Sequence, residues 1–185
     1  MLNKKKRNIL VLMTALSVGL FASCISDDET TEVVFEEDLR KIADYVDNSS
    51  IVPVKEVTVE ETGVTLLFTE VNDSGIASAV GDSLMVNYTG YLLDGTVFDT
   101  SIEQVARDNN LHNPNRDYTP FPIVLGYSDV IGGWHIALSQ MKEGEKSTVL
   151  IPSIYGYGPR GSSNGAIRPN TVLAFDLELV EVIKP

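Results

Sequence analysis

From residue 63 onward, the chain alternates short apolar runs with turn residues. Six runs have the period-two pattern or β-branched and aromatic content of strands: residues 63–71, 83–90, 97–98, 121–125, 146–151 and 172–183. In the last run, apolar residues fall on every second position as far as Leu179, and the phase then slips. This slip predicts a β-bulge or a change of burial. The pattern as a whole predicts an antiparallel sheet.

One helix is predicted among these strands, over residues 129–141. Asp129 suits the N-terminal end of a helix. Apolar residues then recur at helical spacing on one face: Val130, Trp134, Ala137, Leu138 and Met141. Such a stripe is typical of a helix that lies across a sheet, so the predicted fold class is α+β.

The segment before the sheet has a different character. Residues 36–46 carry apolar residues at helical spacing, which predicts a short helix. Residues 25–32 are mostly acidic and polar, which is typical of a solvated tether. Residues 51–59 contain Pro53 and mixed charges, and we interpret them as an extended linker. The expected organisation is therefore a tether, helix and linker over residues 24–61, followed by one domain over residues 62–185.

The N-terminus resembles the export signal of a bacterial lipoprotein. Residues 4–7 are basic, residues 9–22 are largely apolar, and this run is short for a membrane span. Small residues then precede Cys24, which is the only cysteine, although Phe21 departs from the usual aliphatic residue of a lipobox. We expect residues 1–23 to be a signal peptide and Cys24 to carry lipid, which places the protein in the bacterial cell envelope. An uncleaved N-terminal anchor is the alternative.

Composition excludes several classes of chemistry. The 185 residues include 14 Lys or Arg and 26 Asp or Glu, and the net charge of −12 argues against nucleic-acid binding. One cysteine and two histidines offer little for a metal cluster, so we expect neither metal nor cofactor. Residues 156–161 match a GxGxxG spacing, but Pro159 and the polar run after it disfavour the helix that a nucleotide site needs. His112 and His135 are expected to face solvent.

Six motifs, taken together and in order, are similar to those of the FKBP family of peptidyl-prolyl isomerases. They occupy residues 86–90, 94–101, 120–126, 130–134, 155–158 and 175–179. The resemblance runs from residue 63 to about residue 182. It implies an antiparallel sheet of five or six strands wrapped around one short helix, with an apolar pocket between the helix and the sheet.

The resemblance also implies roles for individual residues. Asp99 would face the reacting amide, while the backbone N–H of Ile131 and the hydroxyl of Tyr157 would hold substrate carbonyls. Trp134 would form the floor of the pocket. The remaining substrate-binding positions are walls and rim: Tyr88, Phe98, Phe121, Val130, Ile167 and Phe175. We expect Asp99, Tyr157 and Tyr88 to act in catalysis. Composition alone favours a plainer interpretation of the aromatic residues, as core packing.

Two departures from the family pattern concern the rim of the pocket. Residues 102–117 are longer than the usual connection and predict an inserted surface loop. Arg116, within this insertion, is a candidate partner for Asp99. Ala166 stands where a larger aliphatic residue is common, and residues 162–164 replace a firmer loop tip, which together predict a wider rim.

The function that the resemblance implies is peptidyl-prolyl cis-trans isomerisation during the folding of exported proteins. An apolar pocket would stabilise the twisted X–Pro amide without making or breaking a bond. Expected partners are proline-containing polypeptides and macrolide-type inhibitors, and the protein is expected to be a monomer. The alternative is a non-catalytic peptide-binding or chaperone module of the same fold at the cell envelope.

Overall fold

The computed structural model describes residues 27–185. The signal peptide predicted for residues 1–23 and the lipid site predicted at Cys24 lie outside this part of the chain. Its helices are α1 (Asp27–Asn48), α2 (Glu103–Asp108) and α3 (Gly132–Leu138). The strands are β1 (Lys55–Val59), β2 (Val64–Glu70), β3 (Ser83–Leu92), β4 (Val97–Thr100), β5 (Phe121–Val124), β6 (Lys146–Ile151) and β7 (Leu173–Ile183). None of the helices in this part is both long and apolar enough to span a membrane.

The seven strands form one antiparallel sheet. Six lie in the order β1-β2-β6-β7-β3-β4, and β5 pairs with the first half of β3. The predicted α+β class, with a short helix against an antiparallel sheet, is confirmed. The sheet has one or two strands more than the five or six that the family resemblance implied. One of the additional strands is β1, which lies in the segment predicted to be a linker.

Strand β7 lies at the centre of the sheet, between β3 and β6. Its register with β3 contains the predicted bulge: Val86 pairs with Leu179, whereas Met85 pairs with Glu181. Val180 is the extra residue, so it and Glu181 are both exposed. The slip in hydrophobic phase after Leu179 is therefore a bulge that returns Val182 to the core.

Helix α3 packs against one face of the sheet and forms the main core with it. Trp134, Ala137, Leu138 and Met141 of the predicted stripe are buried, and Val130 is partly buried. Gly133 approaches β6 so closely that a Cβ there would overlap the side chain of Ile151. The prediction that Asp129 begins the helix is wrong. The N-cap is Ile131, which makes no side-chain capping bond, and the helix spans only seven residues.

Helix α1 is longer than predicted and packs on the other face of the sheet. It begins at Asp27 rather than residue 36, so most of the predicted tether is helical. Ile42 packs on Leu150 of β6, on Ala174 of β7 and on Val172, which directly precedes β7. The buried carboxylate of Asp38 accepts a hydrogen bond from the Ser153 backbone N–H at 2.8 Å.

The predicted linker also makes specific contacts with the domain. Residues 55–59 form β1 and pair in register with β2. The turn between them contains Gly63, which has φ of +67° and lies so close to Leu39 of α1 that a Cβ would overlap it. The β1–β2 hairpin and α1 therefore meet directly. That residues 62–185 fold without this segment stays a prediction.

The predicted inserted loop is partly helical. Residues 103–108 form α2, whose Ala106 is buried and whose Arg107 pairs with Glu103 one turn earlier. Helix α2 contacts β4, the strand from which the insertion departs. The single buried alanine explains why the sequence pattern gave no helical stripe in this segment.

Candidate active site

A cavity of about 640 Å³ opens between α3, the sheet and the loop after β6. Every residue that the family resemblance implied is at its wall: Tyr88, Phe98, Asp99, Phe121, Val130, Ile131, Trp134, Tyr157, Ile167 and Phe175. Four further residues line the rim: Asp129, Ser162, Asn164 and Ala166. The structure therefore brings all the predicted site residues of this part of the chain together.

The aromatic residues of the cavity pack edge to face around Trp134. The Trp134 ring centroid lies 5.0 Å from that of Tyr88, 5.4 Å from Phe175 and 6.3 Å from Phe121. The ring of Phe98 contacts Phe175 in the same manner at 5.6 Å. Edge-to-face contacts of this kind favour one fixed arrangement of rings. These five rings therefore form one mutually packed part of the cavity wall.

Gly90 in β3 makes room for two of these rings. A Cβ at this position would lie 2.6 Å from ring atoms of both Phe98 and Phe175. Any side chain there would separate the two rings or displace them towards the cavity. The glycine of the motif at residues 86–90 thus has a steric role in shaping the site.

The polar part of the site is a closed triangle of hydrogen bonds. Tyr88 donates its hydroxyl to Asp99 Oδ2 at 2.6 Å, and Arg116 Nη1 donates to Asp99 Oδ1 at 2.6 Å. Arg116 Nη2 also donates to the Tyr88 hydroxyl at 2.8 Å. The candidate pairing of Arg116 with Asp99 is therefore what the structure shows. Charge-assisted bonds of this type are stronger than neutral ones and hold the carboxylate in one orientation.

Burial and this triangle change the proton affinities of the phenols. Burial, reinforced by the hydrogen bond to Asp99, raises the pKa of Tyr88 from 10.0 to about 12, although Arg116 opposes the change. Burial and the charge of Asp99 also raise the pKa of Tyr157. Partial burial disfavours the Arg116 cation, but its bonds to Asp99 and Tyr88 outweigh that effect and raise its pKa. Both phenols therefore lose their proton less readily than a free tyrosine does.

Comparison with known proteins identifies this arrangement. The sequence profile of the FKBP-type peptidyl-prolyl cis-trans isomerases matches residues 75–180, which include all the predicted substrate-binding and catalytic positions. The chain belongs to this family of isomerases. The matched residues contain all six motifs in full and all the residues that line the cavity, while the roles of the individual residues stay predictions.

Similar proteins include eukaryotic and bacterial FKBPs. FK506-binding protein 1 of Saccharomyces cerevisiae is 36% identical over 110 residues, which cover 60% of this chain and 84% of that protein. An FK506-binding protein of Neisseria meningitidis serogroup C is 36% identical over 119 residues, covering 64% of this chain and 96% of that protein.

Two solved structures have the same fold. The crystal structure of FkpA from Escherichia coli has a TM-score of 0.60 and 28% identity, and the match covers 84% of this chain but 62% of that one. A peptidyl-prolyl cis-trans isomerase from Pseudomonas syringae pv. tomato has a TM-score of 0.59 and 27% identity over 83% of this chain and 96% of that chain.

Three hydrogen-bond donors at the FKBP cavity are unpaired within residues 27–185. The Trp134 Nε1–H is buried and has no partner. The backbone N–H of Ile131, which lies between the loop and α3, donates to no acceptor there, and the Tyr157 hydroxyl makes no bond either. An unpaired buried donor such as the Trp134 Nε1–H is unfavourable, whereas the half-buried Ile131 donor and the exposed Tyr157 donor are open to water or to an incoming acceptor.

Both histidines differ from the expected exposure. His135 is partly buried: its Nδ1 accepts from the Gly126 N–H at 3.0 Å, and its Nε2 lies 3.1 Å from the Ser128 carbonyl. His135 therefore fastens the loop before α3. His112 is also partly covered, because it stacks on Tyr118, the residue directly after the insertion. These contacts join residues that are close in sequence but irregular in backbone, which hydrophobic periodicity does not reveal.

Asp129 is the rim residue that sequence reasoning missed. It was interpreted as a helix cap, whereas it is exposed and lines the cavity two residues before Ile131. The signal that was available is its position directly before Val130, at the start of a motif already linked to the rim.

Proposed function

We propose that this isomerase assists the folding of exported proteins at the bacterial cell envelope, where Cys24 would anchor it through lipid. Its substrates would be proline-containing polypeptides that fold outside the inner membrane. The basic and apolar N-terminal segment and the position of the only cysteine support this location. X–Pro isomerisation is slow enough to be the rate-limiting step of folding, and rotation about the amide bond consumes no ATP.

The chemistry requires a pocket rather than a nucleophile. Rotation about an X–Pro amide crosses a barrier of about 20 kcal/mol because resonance is lost when the amide twists. The twisted amide has less charge separation than the planar one, so a dry apolar wall disfavours the planar ground state. The aromatic walls around Trp134 would supply this environment.

The unpaired donors at the cavity are the observation that carries the proposal. In the proposed complex, the Ile131 N–H and the Tyr157 hydroxyl bind carbonyl oxygens on either side of the proline. Such bonds fix the flanking peptide while the amide rotates between them, and they accelerate the reaction if they are stronger in the twisted state.

Asp99 would act on the reacting amide from the opposite, polar part of the site. Its carboxylate is held by Tyr88 and Arg116, and it lines the cavity rather than lying behind it. We propose that this orientation is required for turnover, and that Tyr88 contributes by holding Asp99 as well as by forming a wall.

The same cavity would accept macrolide-type inhibitors. Relatives from yeast and Neisseria are named FK506-binding proteins, and residues of the FKBP motifs line this cavity. The protein would act as a monomer, because the described residues already form a complete site.

A protease-coupled isomerisation assay on residues 27–185 tests this function. The rate of cis-to-trans exchange of a proline peptide is measured with increasing protein, and binding of the same peptide is measured by calorimetry. We expect acceleration that is abolished by a macrolide inhibitor. Peptide binding without acceleration would reject catalysis in favour of the alternative, a non-catalytic peptide-binding or chaperone module.

A further inference from the structure

Arg116 is held in the site although it belongs to the inserted segment. Its side chain is 35% exposed, and a long cationic side chain has considerable rotamer freedom to lose. Nevertheless, both of its terminal nitrogens bond to the pocket, one to Asp99 and one to Tyr88. Contacts outside the cavity must therefore reduce the number of conformations open to Arg116.

The backbone at Arg116 is fixed by a β-turn. The Arg116 N–H donates to the Asn113 carbonyl at 3.1 Å, with Pro114 and Asn115 at the two central positions. Asparagine first and proline second is a favourable sequence for a type I turn. The hydroxyl of Tyr118 accepts a hydrogen bond from the Asn113 N–H at 2.9 Å. Tyr118 therefore fastens the first residue of the turn that ends at Arg116.

The ring of Tyr118 also contacts the Arg116 side chain. The guanidinium carbon lies over this ring, 5.5 Å from its centroid, which is within the range of a cation–π interaction. His112 stacks on the same ring at 5.6 Å, with only 10° between the planes. His112 Nε2 in turn lies 3.2 Å from Glu103 Oε1, at the start of α2.

We propose that Tyr118 is a positioning residue for catalysis: Tyr118 holds the Arg116 guanidinium against Asp99 and Tyr88. His112 supports Tyr118 by stacking on its ring. The inference rests on the proposed function, since it assigns a role to that same site. Tyr118 does not line the cavity, so it acts only through Arg116. The insertion would thereby supply the outer half of the polar network rather than a separate surface loop.

Two variants separate the ring of Tyr118 from its hydroxyl. Tyr118→Leu removes the π face, and the expected loss in kcat is about two- to five-fold, the value of a partly exposed cation–π contact. KM should change little, because substrate does not touch Tyr118. Tyr118→Phe keeps the ring but loses the bond from the Asn113 N–H, so it should lose less kcat than Tyr118→Leu does. Equal activity of Tyr118→Leu and wild type would overturn the proposal.

A double-mutant cycle shows whether the effect passes through Arg116. In an Arg116→Met background, Tyr118→Leu should cause no further loss of kcat. The same fractional loss in both backgrounds would overturn the proposal, because the effect would then be general. Urea unfolding of each variant shows whether a change in kcat accompanies a change in stability.

A readout independent of activity separates this inference from the proposed function. NMR of the Arg116 guanidinium N–H groups, assigned by their loss in Arg116→Lys, should show restricted rotation in wild type and averaged signals in Tyr118→Leu. If wild type shows no isomerase activity but its guanidinium signals become averaged in Tyr118→Leu, the proposed function fails and the positioning contact stands. Unchanged guanidinium signals in Tyr118→Leu would overturn the positioning role.

Discussion

Arg116 Nη1 lies 2.6 Å from Asp99 Oδ1, and this ion pair joins the end of the inserted segment to β4, where the insertion begins. The acid of the site is thus held from two directions, by Tyr88 in the core and by Arg116 near the surface. An exposed ion pair alone contributes little to stability, so the importance of this pair lies in orientation.

Loss of the Asp99 carboxylate should reduce turnover more than binding. We expect Asp99→Val to lower kcat/KM by about 10- to 100-fold, the equivalent of one charge-assisted hydrogen bond, with little change in the affinity for a proline peptide. Asp108→Val is the matched control, because that carboxylate is exposed on α2 and outside the cavity. A folded Asp99→Val protein with wild-type rate would remove Asp99 from the mechanism.

Trp134 should contribute to stability as well as to binding. Because it is buried and packs against three aromatic rings, Trp134→Ala is expected to lower the free energy of unfolding by about 3–5 kcal/mol and to weaken peptide binding. Tyr127→Ala, at a residue that is 76% exposed in the preceding loop, should change neither. Urea unfolding and calorimetry give the two quantities. Similar losses for both variants would contradict a special role for the Trp134 packing.

Stability should decrease in alkaline solution through the phenol of Tyr88. Its pKa rises from 10.0 to about 12 on folding, so its contribution is complete below pH 10 and is lost as the pH approaches 12. The expected loss is about 2–3 kcal/mol, as follows from the energy of one pKa unit. Urea unfolding of wild type and Tyr88→Phe between pH 9 and 12 should show a shallower decline in the variant. The stability of Tyr127→Phe, at an exposed tyrosine, should decline as that of wild type does. Equal slopes of stability against pH for all three proteins would refute the contribution of Tyr88.

Helix α1 should stabilise the domain without contributing to catalysis. We expect Ile42→Ala to lower the free energy of unfolding by about 2–5 kcal/mol, because Ile42 is buried against the sheet, and to leave kcat/KM unchanged. Val33→Ala is the control, since Val33 on the same helix is 63% exposed.

The same measurements apply to the predicted domain boundary. A chain of residues 60–185 lacks α1 and β1 but contains the whole cavity, which is lined by residues from Tyr88 to Phe175. We expect it to keep isomerase activity and to melt below the chain of residues 27–185. An identical melting temperature would show that α1 and β1 add nothing to the fold.

Membrane association should depend on Cys24. Full-length protein expressed in a bacterium is expected to sediment with membranes, whereas Cys24→Ser should remain in the soluble fraction. If Cys24 carries lipid, the melting temperature of residues 27–185 should equal that of the lipidated protein in detergent, because Cys24 precedes α1 in the sequence. A wild-type protein that is recovered without lipid would reject the anchor.

The strands and the pocket could be predicted because their signals are local. Alternation in β3 and β7 indicates which residues face the core, and the slip after Leu179 marks the bulge. The wall aromatics were found through their place in family motifs, since composition alone favoured ordinary core packing for them. The hydrogen bond between Asp99 and Tyr88 follows from their positions on adjacent strands.

Other contacts could not be predicted because they join distant or irregular segments. Strand β1 is an edge strand with little burial, so it lacks the apolar alternation that marks the other strands. The pairing of Asp38 with Ser153 spans 115 positions of the chain, and no local pattern indicates it. The ring contacts of Tyr118 depend on how the insertion folds back towards β4.

The docking of α1 on the sheet bears on how close an anchored enzyme would lie to the membrane. Only two residues separate Cys24 from Asp27, where α1 begins. The helix has 22 residues, and an α-helix rises about 1.5 Å per residue along its axis. Because Asp38, Leu39 and Ile42 fix this helix to the domain, the helix would be a rigid connection rather than a flexible one. A lipid at Cys24 would then hold the domain close to the membrane, because residues 27–48 are packed on the domain and do not lengthen the connection to it.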